Sequence, residues 1–183
     1  MERRELIRWL VATAGLQSLH SLGADDLLAL GRDVHRRSLT RSVLTRDEDR
    51  AIAAAAEAII PAGDTPGATD AGVTAFIDKM LAHWFTEPER ERFLAGLPEL
   101  DTRANARAGR PFADCAAPDQ VAMLTALDDE VTSLRANRGD AANEHWFAML
   151  KFLTVYGYCT SKPGMRALGL YPLPGRYDPC AAL

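Results

Sequence analysis

Long apolar runs are missing from this chain. No stretch of about 18 or more apolar residues occurs, so the sequence holds no candidate bilayer-spanning helix. A long basic patch is missing too. Net charge is −4 with acids and bases interspersed, which argues against nucleic acid as a partner. No G-x-G-x-x-G follows a strand pattern, which excludes a dinucleotide fold, and no Walker loop occurs. The lack of C-x-x-C-H excludes a covalent c-type haem. Strand-like alternation of useful length is absent, which leaves an all-α chain. Aromatics are few, at 7%, and gather in the second half. The cysteines are Cys115, Cys159 and Cys180, an odd set. In an oxidising compartment one of them pairs with another chain or stays free; in the cytosol all three are reduced.

Isolated reactive residues do not add up to a site. His20, His35, His83 and His145 stand apart, none with a second ligand at helical spacing, and read as core or surface histidines. Asp128-Asp129-Glu130 reads as a solvated helix face. Cys159 beside Thr160-Ser161 has no histidine nearby in sequence, so a nucleophile there is only the alternative reading. The residues point to no catalytic, cofactor-binding or metal site in this chain.

What is present is helical. Residues 48% hydrophobic and 25% charged suit one globular domain with a sizeable core. Residues 1–22 carry Arg3-Arg4 and then a short apolar run from Trp9 to Leu16. That pattern describes a twin-arginine export segment, cleaved or retained; the competing reading is an amphipathic helix with solvated arginines. A helical domain follows over 23–155. Ala24 to Arg36 is predicted helical, with Leu27, Leu28, Leu30 and Val34 on one side. Thr45 with Glu48 and Thr86 with Glu89 form capping boxes, each opening a helix. Pro61 to Thr69 is turn chemistry. Val73, Phe76, Ile77, Met80, Leu81 and Trp84 mark the cleanest amphipathic helix. A helix through Phe93 and Leu100 is kinked or split by Pro98, and another runs through Val121, Leu124, Leu127, Val131 and Leu134. The last long helix is expected from Glu144 to Tyr156, with Trp146, Met149, Leu150 and Leu153 on one face. The expected architecture is an irregular bundle of about six or seven helices.

The remaining segment, 156–183, is expected to be an extended tail rich in Pro, Gly and Tyr, with one short helical turn around Met165 to Leu168. It is too apolar for a solvated tail, so it lies against its own helices or against another protein. Tyr158, Tyr171, Pro172, Pro174, Arg176 and Tyr177 are the candidate partner-binding residues. Proline bracing lowers the entropy lost on docking, and Tyr and Arg are favoured at binding hot spots. Cys180 is the candidate for an interchain or tail-pinning disulfide, against a bridge to Cys115 or Cys159 within the chain.

Several blocks in order resemble the small subunit (subunit 3) of gluconate 2-dehydrogenase-type enzymes. They are Ile59 to Ala68, Gly72-Val73, Phe76-Ile77-Asp78, Phe93 to Leu97, and Phe112-Ala113-Asp114. Thr160-Ser161 with Gly164, and Tyr171 to Asp178 with Cys180, complete the set. The resemblance implies a subunit with no flavin or haem of its own. It implies a large FAD-dependent partner of the glucose–methanol–choline type that oxidises sugars, sugar acids or glycosides. Electrons from that partner pass to a cytochrome c subunit or another acceptor. The small subunit would carry the export signal for the pair, keep the flavoprotein stable, and reach the membrane only through the complex, in the periplasm. The rival functions are an enzyme with its own site near Cys159 and a cytosolic helical regulator.

Overall fold

The computed structural model describes residues 23–36 and 43–169. The export-type segment 1–22, residues 37–42 and the tail from residue 170 onward lie outside the described residues. Every regular element among those described is helical. Helix α1 spans Ala24–Arg36 and α2 spans Arg46–Ile59. Thr45 opens α2 as its sequence predicts: its hydroxyl accepts from the Glu48 amide at 3.3 Å, and the Glu48 carboxylate accepts from the Thr45 amide at 2.7 Å. The buried face of α2 is Ala51, Ile52, Ala55 and Ala56, small residues that admit close neighbours. Helix α3 is Val73–His83, with Val73, Phe76, Ile77, Met80 and Leu81 buried at the expected spacing.

Pro98 splits the next helix. It divides into α4, Glu87–Gly96, and α5, Pro98–Ala108, which meet at Leu97. Proline has no N–H to continue the ladder, so the chain turns there. The Thr86–Glu89 capping box closes the start of α4. A short 3-10 turn, Phe112–Asp114, leads into α6, Ala117–Arg138. Met123, Leu124, Leu127 and Val131 of α6 face inward, but Val121 is 48% exposed and lies off that stripe.

The last two helices depart from expectation. Helix α7 is Trp146–Thr160, so residues 156–160 are helical where an extended tail was expected. It is buried around most of its circumference rather than on one face: Phe147, Phe152, Tyr156, Tyr158 and Cys159 are buried along with Met149, Leu150 and Leu153, and only the stripe Ala148, Lys151 and Val155 is partly exposed. Helices α1 to α4 and α6 all pack on it, which makes it the central rod of the bundle. A helix apolar on nearly every side belongs in an interior. Gly157 fits there because the Phe76 ring occupies its side-chain space; a Cβ would lie 2.7 Å from the Phe76 ring. Ser161 ends α7 and caps the six-residue helix α8, Lys162–Ala167, by accepting from the Gly164 amide at 3.0 Å. The expected short turn around Met165 is therefore real but begins earlier, because Ser161 and Pro163 supply the start signal.

Candidate partner-docking site

Two tyrosines of α7 hold two different segments. Tyr156 is fully buried, and its hydroxyl donates to the Leu27 carbonyl of α1. Phe76 meets the Tyr156 ring edge-on at 5.3 Å and stacks on His35 at 4.7 Å. The His35 Nε2 lies 2.8 Å from the Gly157 carbonyl, so that nitrogen carries the proton and donates. Burial lowers the His35 pKa most; the Gly157 bond opposes that, and nearby Lys79 lowers it further. Lys79 donates to the Val34 carbonyl at 3.3 Å. These contacts fasten α1 to the bundle.

Tyr158 faces the loop between α2 and α3. Its hydroxyl donates to the Pro66 carbonyl at 2.9 Å, and its ring is buried inside the chain. Glu57, near the end of α2, braces the same loop. One carboxylate oxygen accepts from the Ala62 amide at 2.8 Å and the other from the Thr69 amide at 2.9 Å. Burial acts to raise the Glu57 pKa, but the bonds from Thr69 and Ala62 outweigh it and hold the carboxyl below its ordinary value. The Ala68 amide donates to the Ile60 carbonyl at 2.9 Å, closing the loop at its base. Gly67 is buried in that base, where a Cβ would sit 2.6 Å from the Ala62 nitrogen. Residues 61–66 above it are all exposed.

The other polar groups are occupied inside the chain. Asp78 accepts from the amides of Val43 and Leu44 at 2.8 and 3.1 Å, and Asp101 accepts from the Phe112 amide at 2.8 Å. Asp128 pairs with Lys151 at 2.6 Å, and Glu130 pairs with Arg103 at 2.7 Å, so these two acids of α6 tie neighbouring helices, while Asp129 between them is exposed. Trp146 donates its indole N–H to Glu99 at 2.7 Å, and Glu99 also pairs with Arg103. His145 caps α7 by accepting the Phe147 amide at Nδ1, 3.2 Å away, which requires that nitrogen to be unprotonated. Burial lowers the His145 pKa most, against the raising effect of Glu99 and Glu130. Cys115 and Cys159 are buried free thiols, and burial pushes Cys159 up to about 12. A thiol so protonated is a poor nucleophile. Among the described residues there is no group of three or more His, Cys, Asp or Glu able to hold a metal, and no helix long and apolar enough to cross a membrane.

Of the residues expected at a partner contact, only Tyr158 is described. Tyr171, Pro172, Pro174, Arg176, Tyr177 and Cys180 lie outside the described residues. Glu57 was not singled out in the sequence, and Tyr156 was read only as part of an apolar segment with no named partner. Glu57 had a readable signal, an acid just ahead of a turn-forming loop, whereas the Tyr156 partner is 129 residues away.

A family model described as gluconate 2-dehydrogenase subunit 3 matches residues 46–176. The chain belongs to that family. No curated protein and no solved structure matches it. The gluconate 2-dehydrogenase subunit 3 match covers α2 through α8 and reaches into the tail, while α1 precedes it. The family's description places its members in a dehydrogenase of several subunits. In this member the two tyrosine-held segments, α1 and the α2–α3 loop, belong to one packed body.

Proposed function

We propose that this chain is the non-catalytic small subunit of a flavoprotein dehydrogenase. It would bind, stabilise and escort for export a large FAD-dependent subunit of the glucose–methanol–choline type, one that oxidises a sugar or glycoside. The observation that carries this reading is the subunit 3 family match running from α2 to Arg176. It agrees with a body whose carboxylates brace loops and pair with neighbouring helices. The flavin belongs to the partner, and a cytochrome c subunit is a further member in some arrangements. The tail residues Tyr171, Pro172, Pro174, Arg176 and Tyr177 supply contact with that partner, and Cys180 supplies an interchain or tail-pinning disulfide in the periplasm. Arg3 and Arg4 supply the twin-arginine signal for the pair.

Co-expression tests this directly. The flavoprotein subunit of the same organism is produced with and without this chain, and its soluble yield, flavin absorbance and turnover are compared. Flavin loading and turnover should fall at least tenfold without the small subunit. A flavoprotein fully soluble and active alone would overturn the stabilising role. Export of a fused reporter should stop when Arg3 and Arg4 are both changed to Lys.

A further inference from the structure

The loop joining α2 to α3 is longer than its job as a connection requires. Ile60 and Ala68 are already joined by a 2.9 Å backbone hydrogen bond, so the chain could pass from one to the other almost directly. Residues 61–66 instead make an excursion into solvent with closely spaced ends, the form of surface loop that is often functional. The excursion is held from beneath at several points. Glu57 takes the amides of Ala62 and Thr69, Tyr158 reaches Pro66 from the central helix, and the Gly63 amide donates to the Thr65 carbonyl at 3.0 Å. Pro61 and Pro66 fix two backbone angles more. The Tyr158 ring that holds the loop is buried, and residues 61–66 stay exposed.

The loop also has one sign of charge. No Lys or Arg occurs from Ala51 to Asp78, whereas Asp64 and Asp70 are exposed. A rigid, exposed, singly signed segment loses little conformational entropy when a complementary surface closes on it. Charge complementarity across such a rim sets orientation and association rate.

We propose that loop 61–66 is a docking epitope for the large dehydrogenase subunit, with Asp64 at its tip meeting an Arg or Lys of that partner. This inference rests on the accessory-subunit reading and adds a location to it, on the body of the fold and apart from the tail.

The test uses the full chain and the co-expressed flavoprotein subunit, with the equilibrium affinity of the purified pair measured at low and high salt. Asp64→Lys should weaken the complex at least tenfold, and Asp64→Asn should weaken it less while flattening its salt dependence. The same reversal at exposed Asp129 of α6 should leave affinity unchanged. Melting temperatures of the variants should match the wild type, which separates docking from folding; if Asp64→Lys melts early, the salt slope of Asp64→Asn decides. Equal affinity and salt slope for wild type and both Asp64 variants would overturn the epitope while leaving the subunit role intact. Failure of the wild-type pair to associate would remove the subunit reading itself. Self-association of this chain that Asp64→Lys abolishes, with partner affinity unchanged, would reassign the loop to a second copy.

Discussion

Tyr156 and Tyr158 sit two residues apart on α7, about 200° apart around the helix, and they do opposite work. Tyr156 draws α1 inward and completes a core of Phe76, His35 and Val34. Tyr158 holds a loop whose tip stays in water. The first contact builds the body and the second fixes something on its surface. Burial alone does not distinguish them, since both rings are buried; what differs is whether the held segment ends inside or outside.

The comparison can be broken most strongly at Phe76, which supports the α1 side through both His35 and Tyr156. Phe76→Ala should cost about 3–5 kcal/mol and leave a cavity beside Gly157, read as a drop in the denaturant midpoint. Tyr156→Phe keeps the ring and removes the hydroxyl. It should cost about 1 kcal/mol and raise amide exchange in α1 while leaving loop 61–66 unchanged. Tyr158→Phe should cost less than Tyr156→Phe in stability, because its partner is at the surface. Its exchange effect should appear in residues 61–67, and its larger consequence should be weaker association with the flavoprotein subunit. If both tyrosine variants loosened the same segment, the division of labour would be wrong.

Acid should sharpen the same contrast by a smaller amount. His35 and His145 both have lowered pKa values in the fold, with burial the leading cause. Their contribution is complete above the unfolded value of about 6.5 and is lost as pH falls through the folded values, because the unfolded chain binds protons first. Stability should therefore decline from neutral pH toward pH 5. At His35 the Gly157 bond opposes that lowering and Lys79 adds to it; at His145, Glu99 and Glu130 oppose it and Arg103 adds to it. A pH-independent melting temperature across that range would contradict both assignments.

Local signals in the sequence were reliable where the cause was local. The capping boxes at Thr45 and Thr86, the stripe of α3 and the split at Pro98 all rest on residues within a few positions of one another. The end of α7 rests on distant ones. Tyr156-Gly-Tyr-Cys-Thr160 has poor helix propensity, with a glycine costing about 1 kcal/mol relative to alanine. It is helical because α1 and Phe76 of α3 enclose it. The docking loop was legible as a turn, but its rigidity was not, since Tyr158 lies 92 residues from Pro66.

The α1–α7 contact also sets an order of events during synthesis. Leu27 precedes Tyr156 by 129 residues. At roughly 5–20 residues per second, α1 leaves the ribosome on the order of 10 s before the α7 half of its seat exists. A 13-residue helix is marginal alone in water. Its full docking therefore waits for α7, so the earliest described helix is among the last to be locked into the bundle.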